Sequence, residues 1–294
     1  MSRLFKKLIL VMFIPISVML FNHTIDPLQI YSRSQVYAPE FSGDMRYQAA
    51  GLIKNYDYDT IIVGSASVVD FSLRELRDDY KIKAIRLAAD YPSIAEEQQI
   101  LKLALAENSK IKRIIWEIRS EVLALDENNL PMYLYDKNPL NDYKYLLNPA
   151  ITRQSANIIL RHEWYNSEET LTEMNNLGNE LQKCNFREYN GDDIMADIKK
   201  NTDAMMEFAL EYPNVEFYCF FPDVSQEDGN LQQEIEAREY IYSRYALGYN
   251  IKIYDFVRQK NALNASGALR VLLTETATTQ KTFSDSQSYL KSLL

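Results

Sequence analysis

With 294 residues, 47% of them apolar and 25% charged, the chain can bury a sizeable core, and collagen, coiled coil and bulk disorder are excluded. Lys and Arg number 32 against 41 Asp and Glu, and the net charge of -9 argues against nucleic acid as a partner. Two cysteines and two histidines provide no disulfide framework and no zinc-type ligand spacing, so neither a metal nor a cofactor is expected.

Arg3, Lys6 and Lys7 precede an apolar run from Leu8 to Phe21 that only Pro15 and Ser17 interrupt, a combination that reads as an export signal. At about 1.5 Å per residue the run spans roughly 21 Å, close to the apolar core of a cleaved signal and short of a ~30 Å hydrocarbon layer. No small-x-small site follows in Met19-Leu20-Phe21-Asn22-His23, however, and Leu4 and Phe5 extend the segment past snorkelling lysines. The expectation is an uncleaved signal anchor over residues 1–22, a single transmembrane pass with the body outside the cytoplasm because the positive charge lies ahead of it. The competing reading is a buried core helix. Outside the cytoplasm Cys184 and Cys219 either pair or stay as buried thiols.

Residues 23–57 read as an irregular lead-in broken at Asp26-Pro27 and Ala38-Pro39. Thr60-Ile61-Ile62-Val63-Gly64 is a short β-branched run that predicts a buried strand ending in a turn. A helix over 72–80 comes next, opened by Ser72 and Glu75 as a capping box. Then come a strand over 84–88, a helix over 94–107 and a strand over 113–118. In that helix Ile100, Leu101 and Leu103 face the core while Glu96, Glu97 and Lys102 face water. The β-α-β-α-β alternation predicts a mostly parallel sheet.

Residues 119–190, aromatic and rich in Asn and Asp, read as an insertion covering one end of the sheet, with a helix near 155–164. The pattern resumes with a helix over 192–211, a strand over 215–221 stopped by Pro222, a helix over 231–247 and a strand over 251–254. Together these predict an α/β, flavodoxin-like sandwich of five parallel strands over 58–255. Residues 256–294 change character, becoming rich in Ala, Ser, Thr and Leu, and are either a native tail or a truncated or out-of-frame end.

In such sheets ligands bind at the carboxyl ends of the strands, which singles out Gly64-Ser65-Ala66-Ser67. Ser65 or Ser67 is a candidate nucleophile over a helix N-terminus that can hold an oxyanion; the alternative is that Gly and Ser make the tight turn and cap the next element. Asp90 after the second strand, Glu117 at the end of the third, Arg119 and Glu121 just beyond it, and Pro222 after the fourth would line the same cleft, with Arg119 and Glu121 either binding a polar ligand or pairing with each other. Paired acids such as Glu96-Glu97 do not face each other on a helix and read as a solvated surface. His162 could serve as a base only if the insertion folds over the site.

Asp59-Thr60-Ile61-Ile62-Val63-Gly64-Ser65-Ala66, Ile111-Lys112-Arg113-Ile114-Ile115-Trp116, the block from Tyr133 to Asn148 and Phe220-Phe221-Pro222 together resemble a group of bacterial membrane-anchored, SGNH-hydrolase-like proteins. These are related to the teichoic-acid D-alanylation protein and to polysaccharide O-acetyltransferases. The resemblance covers residues 1–255 and implies acyl-ester chemistry on cell-envelope polysaccharide, with a membrane-bound acyltransferase as a possible partner. It also implies a serine nucleophile third in a Gly-x-Ser motif, a late Asp-x-x-His, and a glycine and an asparagine for the oxyanion hole. Here the third position is Ala66, the second strand leads into Ala88-Ala89-Asp90, the third into Glu117-Ile118-Arg119, and no histidine follows His162. Three functional expectations result: a catalytically impaired member of the group, an active O-acyltransferase or esterase using Ser65 or Ser67, or a non-catalytic glycan-binding accessory module.

Overall fold

The computed structural model describes residues 3–42, 44–125, 127–176, 194–222, 231–245 and 250–255. Cys184, the 256–294 tail and the side chain of Glu121 lie outside the described residues. The chain divides into two compact units, one of residues 57–129 and 175–294, the other of residues 1–56 and 130–174. The lead-in and much of the aromatic stretch thus build one unit of their own.

The elements in chain order are α1 (Arg3–Ile25), α2 (Met45–Asn55), β1 (Thr60–Gly64), a 3-10 helix (Ala66–Asp70), α3 (Leu73–Asp78), β2 (Ala84–Ala88), α4 (Ile94–Glu107), β3 (Arg113–Glu117) and α5 (Ser120–Leu123). They continue, with two further 3-10 turns at Met132–Leu134 and Pro139–Asn141, as α6 (Tyr143–Leu146), α7 (Pro149–Arg161), α8 (Ser167–Asn176), α9 (Ile194–Glu211), β4 (Glu216–Phe221), α10 (Leu231–Tyr245) and β5 (Ile251–Asp255).

All five strands are parallel in the order β2-β1-β3-β4-β5. This is the doubly wound, flavodoxin-like order, and the chain reverses its direction of winding between β1 and β3. Buried on both faces, β1 reads as a continuous apolar run because helices cover parallel sheets. On one face Trp116 of β3 meets Phe208 of α9 edge-on at 5.9 Å, and Phe217 of β4 packs against the same pair. In β2, Arg86 is buried at a position the pattern would give to an aliphatic side chain. Its guanidinium donates to the carbonyls of Val69 at 2.7 Å and Phe71 at 2.9 Å, which fixes the segment that leaves β1.

Two expectations need correction. The lead-in is not irregular throughout, because Met45–Asn55 is a helix capped by the Asp44 side chain on the Arg46 N–H. Its Gly51 is a site of close approach: a Cβ there would overlap the Leu28 carbonyl oxygen, and Gln48 and Asn55 donate to the Leu28 and Gln29 carbonyls on either side. Glu96 and Glu97 are not solvated; each is 1% exposed. Glu96 completes a capping box with Ser93 and also accepts the Asn129 N–H, while Glu97 accepts the indole N–H of Trp116 at 2.7 Å.

In the other unit α1 packs on α6 and α7. Asn22, fully buried, donates to the Leu146 carbonyl and to Thr152 Oγ1 at 2.8 Å each and accepts from Ser155 Oγ at 3.0 Å. Asp26 accepts from the N–H groups of Ile30, Tyr31 and Ser32 and from the Tyr145 hydroxyl, which itself accepts from the Leu28 N–H. Among the described residues no helix is long and apolar enough to cross a membrane.

Candidate functional site

The winding reversal puts the carboxyl ends of β1 and β3 side by side, with Val63 in register with Trp116. The next residues along, Gly64 and Glu117, face each other closely. Gly64 has φ +155°, which L side chains rarely adopt, and a Cβ built on it would stand 2.5 Å from the Glu117 Cβ. Only glycine lets the Glu117 side chain fold over the end of β1.

Having folded over, the carboxylate is held at two points. The Ser65 N–H donates to Glu117 Oε2 at 2.6 Å and the Ser65 hydroxyl donates to Oε1 at 3.0 Å. Ser65 is 1% exposed and Glu117 3%. Arg119 Nη1 stands 3.7 Å from Glu117 Oε1 and donates to Ser67 Oγ at 3.3 Å. The four residues Ser65, Ser67, Glu117 and Arg119 therefore form one hydrogen-bonded cluster in which each hydroxyl already has a charged partner.

This geometry bears on each candidate. Ser65 is brought to a potential base, Glu117, but its hydroxyl points into the cluster. Ser67 is half-buried and bonded by Arg119. Ala66, half-buried between them, contributes a methyl group. The oxyanion-holding helix N-terminus expected here is a five-residue 3-10 helix, and Ser65 makes no side-chain cap on it. The N–H of Ser65, the one that would face an oxyanion, is spent on Glu117.

Asp90 follows β2 and is exposed, and the intervening Ala89 N–H bonds the Gly64 carbonyl at 3.1 Å. Pro222 is buried directly after β4, and the Ile118 N–H bonds the Phe220 carbonyl at 2.8 Å. Both histidines belong to the other unit. His162 ends α7 in a left-handed conformation at φ 53°, and His23 stacks on Tyr31 at 4.4 Å.

Sequence reasoning missed Glu97. Desolvation pushes its carboxyl well above the usual range against the pull of the Trp116 indole, with Glu117 and Glu96 adding to the rise, and among the described residues Glu97 Oε1 has no hydrogen-bond partner. The available signal was its place four residues after a Ser cap, one turn from the core face of α4. Among the described residues no group of three or more His, Cys, Asp and Glu is placed to hold a metal ion. No protein-family model, curated protein or solved structure matches this chain.

Proposed function

We propose that this chain is a membrane-anchored, extracytoplasmic SGNH-like protein of the bacterial cell envelope, associated with polysaccharide modification and without acyl-transfer activity of its own. The observation that carries the proposal is Glu117 seated on Ser65. Acyl transfer at this turn needs a carbonyl carbon within ~3–3.5 Å of the hydroxyl and an oxyanion facing donors. Here the chain's own carboxylate takes the N–H and the hydroxyl together. Negative charge developing beside Glu117 would be repelled rather than stabilised. Ala66 at the family's nucleophile position and the lack of any histidine after His162 agree with this.

The anchor rests on Arg3, Lys6 and Lys7 ahead of the apolar run and on the exposure of Val11, Met12, Phe13 and Ile14, each more than half open to solvent on α1. That α1 runs without a break into buried Asn22 favours its retention in the mature protein. In this reading the partners are envelope polysaccharide and a membrane-bound acyltransferase that performs the chemistry.

The test is hydrolysis of a chromogenic acetyl ester by the full-length protein in detergent, alongside Ser65→Ala and Ser67→Ala. All three are expected to match the buffer rate; turnover that disappears in Ser65→Ala overturns the proposal. The 3.0 Å bond from Ser65 to Glu117 favours a second reading, an esterase in which Glu117 is the base. It requires turnover that Glu117→Gln abolishes. Inertness together with saturable oligosaccharide binding identifies an accessory glycan-binding module.

A further inference from the structure

Among the described residues, all the exposed large apolar side chains but Leu210 lie in the unit that α1 enters. Three of them stand together in sequence around α6: Leu140 is 80% exposed, Tyr143 51% and Leu147 38%. Two contacts tie this segment to the point where α1 leaves its apolar run. The run ends at Phe21, and the next residue, Asn22, bonds the carbonyl of Leu146 at 2.8 Å. One position further, His23 stacks on Tyr31, whose ring lies 6.1 Å from that of Tyr145 in α6.

We infer that the Leu140–Leu147 segment sits in the headgroup layer of the lipid bilayer, so that the protein rests on the membrane through a folded collar and not through the helix alone. This rests on the reading of α1 as an anchor. If the apolar run lies in hydrocarbon, the bilayer surface is at the level of Asn22, and a segment hydrogen-bonded to Asn22 is held at that surface. Its composition suits the place. Tyr143 has an apolar ring with a polar end, Lys144 on the same turn is exposed and can reach the headgroups, and the two leucines supply apolar area.

The experiment places an environment-sensitive nitrobenzoxadiazole label at Leu140→Cys, at Leu147→Cys and, as reporter of the anchor, at Leu20→Cys. Each is made in the full-length chain carrying Cys184→Ser; Cys219 is buried. Proteins are reconstituted in phosphatidylcholine/phosphatidylglycerol vesicles with spin-labelled lipids, and quenching is compared with that by aqueous iodide. Labels at 140 and 147 are expected to be quenched by a spin label near the headgroup more than by one deep in the acyl chains, to be shielded from iodide, and to be blue-shifted relative to detergent-free buffer. Leu20 lies two residues, roughly 3 Å along the helix, inside the level of Asn22 and is expected to be quenched by lipid and shielded from iodide. Lipid quenching at Leu20 with iodide quenching at 140 and 147 overturns the collar and leaves the anchor standing. Iodide quenching at all three positions overturns both. All three positions are exposed, so the substitutions leave the packed core untouched.

Discussion

Gly64 is the residue on which the candidate site turns. Its φ of +155° and the 2.5 Å separation a Cβ would have from the Glu117 Cβ are independent reasons for glycine, one in the backbone and one in the packing. Gly64→Ala must therefore move β1 away from β3 or swing Glu117 off Ser65. It is expected to cost about 2–3 kcal/mol of stability, read as a lowered denaturation midpoint at unchanged slope. Stability within ~0.5 kcal/mol of the parent protein would mean that Glu117 has an alternative position at no cost. The same position shows what sequence reading can and cannot see. A strand ending in Gly-Ser pointed to a tight turn at a ligand-binding end of the sheet, and that turn is there. Nothing in residues 64–67 announced that Glu117, fifty residues on, would occupy the turn's donors, because strand register decides which side chain of β3 lies beside β1. Ser65 as nucleophile and Ser65 as half of a staple are the same letter in a sequence.

At the scale of elements the strands were the most legible part. Four are compact runs rich in β-branched or aromatic residues and β2 is Ala-Ile-Arg-Leu-Ala, and the observed bounds depart from the expected ones by a residue at most. Helix α4 was equally clear from its apolar face of Ile100, Leu101 and Leu103, and the structure adds a start the reading did not use, the reciprocal box of Ser93 and Glu96. What composition hid was the cap's burial. Ser93 and Glu96 are each 1% exposed, and Glu96 also holds the Asn129 N–H, so one side chain caps α4 and closes a loop. Ser93→Ala is thus expected to cost about 2 kcal/mol, at the upper end for a lost cap, because a buried Glu96 N–H is left without its acceptor. Thermal unfolding of the variant checks this; a loss below ~0.5 kcal/mol would show that water replaces the hydroxyl. Helix α2 was missed for a different reason. Arg46, Gln48, Lys54 and Asn55 break its apolar stripe, and its glycine reads as a breaker, whereas Gln48, Gly51 and Asn55 all serve the Leu28-Gln29 backbone. A helix face built to bind a loop's carbonyls carries no hydrophobic periodicity.

For the molecule as a whole the buried acids set a direction for pH. Among the described residues each compact unit holds one carboxyl whose pKa is raised overall by burial: Asp26, despite its four donors, and Glu97, more strongly. An acid whose pKa is raised on folding keeps its proton in the native state at a pH where the unfolded chain has released it. It therefore contributes stability that is complete below its ordinary range, about 4 for Asp and Glu, and is lost as pH climbs toward the folded value. Opposite cases exist in Asp57, held low by its hydrogen bond to Lys83, and Glu216. Burial pushes Glu216 up, but its bonds to the Tyr218 hydroxyl and to Lys252 outweigh that and hold its carboxyl below the usual range. Both are exposed or half-exposed, and lowered acids finish titrating below their ordinary range, so neither slopes the curve above pH ~5.5. The net charge of -9 adds self-repulsion in the same sense as the buried acids. The melting temperature is therefore expected to fall as pH rises above about 5.5. Glu97→Gln keeps an acceptor for the Trp116 indole and removes the titrating proton, so it should leave the protein nearly unchanged at pH 5 and stabilise it at pH 8. Parallel curves for the two proteins across that range would mean that Glu97 is ionised in the fold, and that the cluster behind Ser65 carries more negative charge than its burial permits.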